Sequence, residues 1–131
     1  MNIVLLIQRE YNSNTTQIQS IREYIMKEVK FNDTIIVLGE NAQDNWNIID
    51  FESDYIWLHL DSFPSCHVII CDESPDNETL LYASELCKSK TKYKNLKNTY
   101  VCYTKCSNLK KGSEVGSVIY KSKRQVNRVM V

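Results

Sequence analysis

Short apolar runs rich in β-branched and aromatic residues recur along this chain, each bounded by turn-forming residues. Runs of this length and composition are typical of strands that pack one or both faces of a sheet. The predicted strands span residues 3–7, 34–38, 55–60, 67–71, 99–104, 115–120 and 125–131. Because strands predominate and do not alternate strictly with helices, we predict an α+β fold with a mixed or mainly antiparallel sheet.

A segment near the amino terminus shows helical spacing instead. Its apolar residues recur every three or four positions, at Ile18, Ile21, Ile25 and Val29. Asn14 followed by Gln17 resembles a capping box, which satisfies the first backbone N–H groups of a helix. We therefore predict a first helix over about residues 14–30.

A second helix is predicted over about residues 75–90. Ser74 precedes Pro75, and proline is favoured at the first helical position. The face expected to pack on the sheet carries small and apolar residues, namely Leu80, Ala83, Ser84 and Cys87. With 131 residues and no internal repeat or low-complexity tract, the chain is predicted to form a single domain over residues 1–131.

The charges divide unevenly along a chain whose formal net charge is zero. Residues 1–85 carry 15 acidic and 4 basic side chains, whereas residues 86–131 carry 12 basic side chains and a single acidic one, Glu114. Clustered Lys and Arg are typical of surfaces that bind phosphates without reading bases. The candidate phosphate contacts are Lys88, Lys90, Lys92, Lys94, Lys97, Lys105, Lys110, Lys111, Lys121, Lys123 and Arg124.

Two other interpretations of these charges stay open. Lys88 and Lys90 lie near the predicted end of the second helix, where cations stabilise the negative pole of the helix dipole. The acidic and basic ends of the chain could also neutralise each other, either within the fold or across a homodimer. The chain would then be a protein-interaction or self-associating module.

The two central strands bring aromatic and imidazole side chains to one face. If they form a hairpin about Phe63, then His59 opposes His67 and Trp57 opposes Ile69. Such a patch could stack a nucleobase and contact a phosphate. The alternative is a half-buried hairpin whose His side chains satisfy backbone groups.

Catalysis and metal binding are less well supported by the residues. The candidate metal ligands are His59, Cys66, His67 and Cys71. Cys66 and His67 are adjacent and would point to opposite faces of a strand, which disfavours a shared tetrahedral site. The cysteines lie in apolar runs, where packing is a more ordinary role than nucleophilic catalysis. We expect no enzyme activity, metal or cofactor.

The sequence also predicts the compartment. The apolar run over residues 3–7 is too short for a signal peptide or a membrane span. The five cysteines are an odd number and form no Cys-x-x-Cys pair, so we expect free thiols in a reducing environment. The predicted location is the cytoplasm, without membrane association.

Six short motifs in a fixed order resemble the NFACT-R domain, the RNA-binding region of the NEMF-type ribosome quality-control proteins. They are a Gly-x-Asn-Ala-x-x-Asn turn at 39–45, Trp-x-His at 57–59, Ser-Cys-His-Val at 65–68, Tyr-Thr at 103–104, a Lys-Lys turn at 110–111 and Val-Gly-x-Val at 115–118. The resemblance covers residues 34–131 and leaves out the predicted strand and helix of residues 1–33. One departure is Cys71, which stands where the family commonly places Arg.

The resemblance implies a non-catalytic nucleic-acid-binding module. RNA, either tRNA or rRNA, is favoured over DNA, and a link to translation or ribosome quality control follows by family analogy. Ribosome association is likewise implied by analogy alone. The implied recognition surface contains Trp57, His59, His67, Lys110 and Lys111, and the implied structural motif contains Gly39, Asn41, Asn45 and Gly116.

Overall fold

The computed structural model of this protein describes residues 27–48 and 54–131. Its strands are β1 (Lys27–Phe31), β2 (Thr34–Leu38), β3 (Ile56–Leu60), β4 (Val68–Ile70), β5 (Tyr100–Lys105), β6 (Leu109–Lys111), β7 (Val118–Tyr120) and β8 (Asn127–Met130). Its helices are α1 (Ala42–Asn47) and α2 (Asn77–Ser89), with two 3₁₀ turns at Cys106–Asn108 and Lys123–Gln125.

These elements form an α+β domain, which confirms the predicted fold class. Six strands make one sheet in the order β1-β2-β4-β3-β5-β8, and β6 pairs with β7 in a small second sheet. Every pair of neighbouring strands in the described part of the chain is antiparallel. No helix within these ranges is long and apolar enough to cross a membrane.

The predicted first helix is wrong over residues 27–30, which belong to β1. β1 pairs with β2 from Lys27 opposite Leu38 to Phe31 opposite Thr34. The connection is the two residues Asn32 and Asp33, with φ of 46° and 68°. Two consecutive positive φ angles are the signature of a type I′ hairpin turn, which Asn and Asp tolerate. The rest of the predicted helix and the predicted strand at 3–7 lie outside the described residues.

The sheet has an apolar core on each face because alternate residues of its strands point to opposite sides. In β2, Ile36 and Leu38 face the side covered by α2, whereas Ile35 and Val37 face the side covered by β6 and β7. Strands packed on both faces read as continuous apolar runs, which explains the pattern of β2 and β4 in the sequence.

Helix α2 begins two residues later than the sequence predicted. The side chain of Asp76 accepts a hydrogen bond of 2.8 Å from the backbone N–H of Thr79, so Asp76 is the N-cap and Pro75 lies outside the helix. Asp is among the strongest N-cap residues, and here it takes precedence over the Ser-Pro signal. The buried face of α2 contains Thr79, Ala83, Ser84 and Cys87.

The carboxyl-terminal strands are shorter than predicted, and one was missed. The predicted strand at 115–120 contracts to Val118–Tyr120, and the one at 125–131 contracts to Asn127–Met130. The predicted Lys-Lys turn is strand β6, which pairs Lys110 with Ile119 and Lys111 with Val118. Two adjacent lysines carry little strand propensity, so this strand depends on its pairing with β7.

Candidate nucleic-acid interface

The predicted hairpin between β3 and β4 is confirmed. Trp57 lies opposite Ile69 and Leu58 opposite Val68, and continuing this register places His59 opposite His67. The two imidazole centroids are 5.3 Å apart, with their planes at 79°. Tyr120 of β7 completes the group, its ring centroid 5.9 Å from that of Trp57.

The burial of Trp57 bears on the two interpretations of this hairpin. The indole is only 1% exposed and His67 is 2% exposed, so neither ring presents an open face to a nucleobase. The imidazole of His59 stacks on the indole with a centroid distance of 5.7 Å and an interplanar angle of 9°. The tryptophan therefore packs beneath His59, and the exposed part of the cluster belongs to the half-buried rings of His59 and Tyr120.

A cleft of about 270 Å³ opens beside this cluster. Its lining residues are Trp57, His59, His67, Gly116, Ser117, Val118 and Tyr120. Two of the lining residues also carry buried polar atoms, Trp57 Nε1 and His67 Nδ1, that have no hydrogen-bond partner within the described ranges. Buried polar atoms are normally satisfied, so these two are exceptions in the core beneath the cleft.

The surroundings of both imidazoles disfavour the charged form. Burial lowers the pKa of His59, although a contact with the Leu60 carbonyl and the charge of Asp61 act in the opposite direction. Burial, with the neighbouring His59, lowers the pKa of His67 to about 3. Because a carbonyl oxygen only accepts, His59 Nδ1 donates to Leu60 O at 2.7 Å, which leaves Nε2 as an acceptor.

The Gly-x-Asn-Ala-x-x-Asn segment, expected to be a turn, forms the short helix α1 and supports this cleft. Asn41 caps α1 by accepting from the backbone N–H of Asp44 at 2.8 Å. Asn45 Oδ1 accepts from the backbone N–H of His67 at 2.9 Å, which joins the motif directly to the cluster. A Cβ on Gly39 would lie 2.1 Å from Asn45 Oδ1, so only glycine leaves room for this contact.

Gly116 has a similar steric role on the other wall. Its φ is +92°, and an added Cβ would lie 3.2 Å from the Cβ of Ala42 at the start of α1. Beside it, Trp46 Nε1 donates to the Ser117 carbonyl at 3.1 Å, and Lys111 Nζ lies 4.9 Å from the Trp46 ring centroid. The β6–β7 hairpin is thus docked on α1, and its residues Gly116, Ser117, Val118 and Tyr120 line the cleft.

The sheet has two ends that differ in charge. We call one the His67 end, where β4 begins and β3 and α2 finish, and the other the Asp76 end, where α2 begins. Many of the acidic side chains lie at the Asp76 end, among them Asp33, Asp54, Asp72, Glu73, Asp76 and Glu78. The lysines that follow α2 lie at the His67 end, which also carries Glu40 and Asp61.

The predicted phosphate contacts fall into three spatial groups. The first, at the His67 end, contains Lys88, Lys90, Lys92, Lys94 and Lys97. The second, on β6, contains Lys110 and Lys111. The third, around the end of β5 and the start of β8 toward the Asp76 end, contains Lys105, Lys121, Lys123 and Arg124.

Members of the first group differ in what they contact. Lys88 Nζ donates to the carbonyls of Leu96 and Val131, so it connects α2 to the following loop and the chain end. Lys92 Nζ lies 5.5 Å from the centroid of the half-buried Tyr93 ring. Lys90 instead lines an open cavity of about 520 Å³ at the His67 end. Lys88 therefore has a structural role, whereas Lys90 and Lys92 are available to a ligand.

Sequence reasoning missed several residues of this surface. Tyr120 was assigned to a strand but not to the cluster, and Trp46 was not connected to Lys111. Arg128 lies 3.2 Å from Asp61 and 4.6 Å above the Tyr100 ring at the His67 end. Lys27 lines the same cavity as Lys90. These positions depend on strand order, for which the local sequence carries no signal.

The described ranges contain no group of three or more His, Cys, Asp or Glu side chains arranged to hold a metal ion. Cys66 and His67, two of the candidate ligands, are adjacent at the start of β4 and differ in environment: Cys66 lines the open cavity and His67 the cleft.

Comparison with known proteins shows which family the chain resembles. The family model of the NFACT protein RNA binding domain matches residues 22–123. The Rqc2 homolog RqcH of Bacillus subtilis (strain 168) is 33% identical over 96 residues, which cover 71% of this chain and 17% of that protein. The chain thus spans about a sixth of the length of this curated relative.

A solved structure has the same fold. It is the C-terminal part of the fibronectin/fibrinogen-binding protein from Streptococcus suis, with a TM-score of 0.73 and 21% sequence identity, over 98% of this chain and 60% of that one. The family match spans most of the chain and contains α1, the β3–β4 hairpin, α2 and the β6–β7 hairpin. The chain belongs to the NFACT protein RNA-binding domain family.

Proposed function

We propose that this domain is a non-catalytic RNA-binding module that prefers RNA to DNA, with tRNA or rRNA as its target in translation or ribosome quality control. Family membership and the similarity to RqcH support RNA and this process. The observation that carries the proposal is that Lys90 and Lys92, which follow the end of α2, lie at the same end of the sheet as the His59 cleft. We also propose the cytoplasm as its location.

In this proposal the two parts of the surface act differently. Lys90, Lys92, Lys94 and Lys97 hold phosphates, with Lys110 and Lys111 contributing from β6. Phosphate contacts of this kind orient a nucleic acid without reading its sequence. The cleft is uncharged and offers His59 Nε2 as an acceptor, so it suits an unstacked base. Such bases are exposed in RNA loops, which favours folded RNA with single-stranded segments over duplex DNA.

The first experiment measures binding to labelled tRNA, single-stranded RNA and duplex DNA across a salt series. Counterion release predicts a linear fall of log affinity with log salt, with a slope of about 0.7 for each phosphate of a single strand contacted. Absence of binding to any RNA below about 0.1 M salt would contradict the proposal. Equal affinity for duplex DNA would contradict the preference for RNA.

A charge-reversal pair then tests the site. Lys90→Glu with Lys92→Glu should weaken RNA binding by about tenfold or more near 0.1 M salt. The slope of log affinity against log salt should also fall by the amount expected for the loss of about two phosphate contacts. The matched control is Lys30→Glu, because Lys30 is an exposed lysine paired with Asp33 at the other end of the sheet. Comparable losses in both variants would show that overall charge, and not this surface, controls binding.

Self-association is the second candidate function. It is favoured by one observation, that six acidic side chains lie at the Asp76 end, beside the basic third group, whereas the lysines that follow α2 lie at the His67 end. Two such domains could meet end to end, and exposed charge pairs of this kind weaken as salt screens them. Light scattering across the same salt series should then show a dimer that dissociates as salt rises. A monomer at every salt concentration would contradict this candidate.

A further inference from the structure

Two cysteines lie close together at the His67 end of the sheet, beside Lys90 of the proposed RNA surface. Cys66 lies in the segment between β3 and β4, and Cys87 lies in the last turn of α2. The Cys87 sulfur is 3.7 Å from the Cys66 carbonyl oxygen and 3.5 Å from Ser65 Oγ. The Cys87 thiol donates to this carbonyl, so the side chain of Cys87 packs directly against Cys66 although 21 residues separate them.

The two thiols differ in access. Cys66 is partly exposed and lines the open cavity of about 520 Å³, together with Lys90 and Pro64. Cys87 is 0% exposed and packs against Cys66. A small reagent from solvent can therefore react with Cys66, whereas Cys87 is buried next to it. This is the arrangement of a peroxide-reactive cysteine and a resolving cysteine.

The surroundings of Cys66 favour its thiolate. The hydrogen bond from Cys87 lowers the pKa of the Cys66 thiol, and the nearby charge of Lys90 acts in the same direction, against the effect of burial. The same contact, with burial, raises the pKa of Cys87. Burial raises the pKa of the Cys71 thiol and that of Cys102, the latter to about 11. Nucleophilic reactivity follows the thiolate.

We propose that Cys66 is a modification site for hydroperoxides, and that Cys87 resolves the oxidised form as an intramolecular disulfide. In the first step the Cys66 thiolate attacks one peroxide oxygen, the O–O bond breaks, and hydroxide leaves. Cys66 becomes a sulfenic acid. In the second step the Cys87 thiol attacks this sulfur, the S–O bond breaks, and water leaves with the thiol proton. Two electrons pass from the thiols to one peroxide.

The bridge would join the start of β4 to the end of α2, next to the loop that carries Lys90 and Lys92. The test uses the reduced full chain, freed of reductant and treated with hydrogen peroxide in increasing amounts. Peptide mapping without reduction should show a Cys66–Cys87 linked pair at a lower peroxide dose than any modification of Cys71, Cys102 or Cys106. A map in which another cysteine reacts first, or in which Cys66 pairs elsewhere, would overturn the proposal.

Variants separate the two steps. Cys87→Ser should leave Cys66 as a sulfenic acid that dimedone labels, and Cys66→Ser should leave Cys87 unmodified at the same dose. Cys71→Ser is the matched control and should still form the bridge. Circular dichroism checks that each variant is folded, and Cys66→Ala replaces Cys66→Ser if it is not. Oxidation of Cys87 in the absence of Cys66 would contradict the assigned order, and the wild-type map decides the proposal without any variant.

Discussion

The imidazole of His59 stacks on the indole of Trp57, with ring centroids 5.7 Å apart and planes within 9° of parallel. The lower ring is in the core and the upper one reaches the cleft, so the pair connects folding stability to the proposed binding surface. Stability and binding should therefore respond separately to substitution of the two residues.

Trp57→Ala is expected to lower the free energy of unfolding by about 3–5 kcal/mol, because a fully buried indole leaves a large cavity. Trp57→Phe should cost clearly less, since it keeps a ring under His59 and the lost Nε1 has no partner among the described residues. Urea denaturation measures both. If Trp57→Phe lowers the free energy of unfolding as much as Trp57→Ala, the indole nitrogen must have a hydrogen-bond partner, which would contradict this explanation.

His59→Ala should affect RNA affinity more than folding stability. Because His59 is only half-buried, we expect a loss of at most about 1 kcal/mol of unfolding free energy. RNA affinity at fixed salt should fall, with an unchanged salt slope, since a neutral imidazole contacts no phosphate electrostatically. A fall in salt slope would instead show that His59 binds as a cation.

Stability should decrease as the pH falls below about 6.5. The pKa of folded His67 is lowered to about 3 by burial, whereas 6.5 is the ordinary value of the unfolded side chain. Between these values the unfolded chain binds the extra proton, so acid favours unfolding, by about 2 kcal/mol at pH 5 relative to pH 7.5. His59, which faces His67, shifts in the same direction. His67→Gln should flatten the urea-midpoint profile over this range, and a profile as steep as wild type would assign the effect to other groups.

Asn45→Ala should destabilise the domain by about 1–3 kcal/mol, because it removes the acceptor of the buried His67 backbone N–H. Asn45→Asp retains an oxygen in the same place and is the matched control. We expect the Asp variant to recover most of the stability in urea denaturation. Equal losses would mean that the Asn45 amide nitrogen, and not its oxygen, matters.

Lys110→Glu with Lys111→Glu should weaken RNA binding by about tenfold near 0.1 M salt if β6 contributes two phosphate contacts. The control pair, Lys110→Arg with Lys111→Arg, keeps both charges and should bind within about twofold of wild type. Fluorescence anisotropy with labelled tRNA measures both pairs. Unchanged binding by the Glu pair would remove β6 from the proposed surface.

The sequence predicted well wherever its local pattern had a single interpretation. Alternation along β3 and β4 gave the hairpin register and hence the meeting of His59 with His67. It failed where one pattern fitted two structures. The spacing of Ile25 and Val29 suits a helix, but Asn32 and Asp33 turn the following residues into a hairpin. The dipeptide was a usable signal, because Asn and Asp tolerate positive φ.

By itself, the sequence determined the fold class, the motif order, the uneven distribution of charge and the residues of the β3–β4 cluster. Only the tertiary structure decided which of them share a surface. In the folded chain Trp57 is buried, Lys88 donates hydrogen bonds to two backbone carbonyls, and the basic half is divided into three groups. The physical reason is that local pattern sets which face of a strand a side chain takes, whereas long-range pairing sets the strand order and the end of the sheet at which each loop emerges.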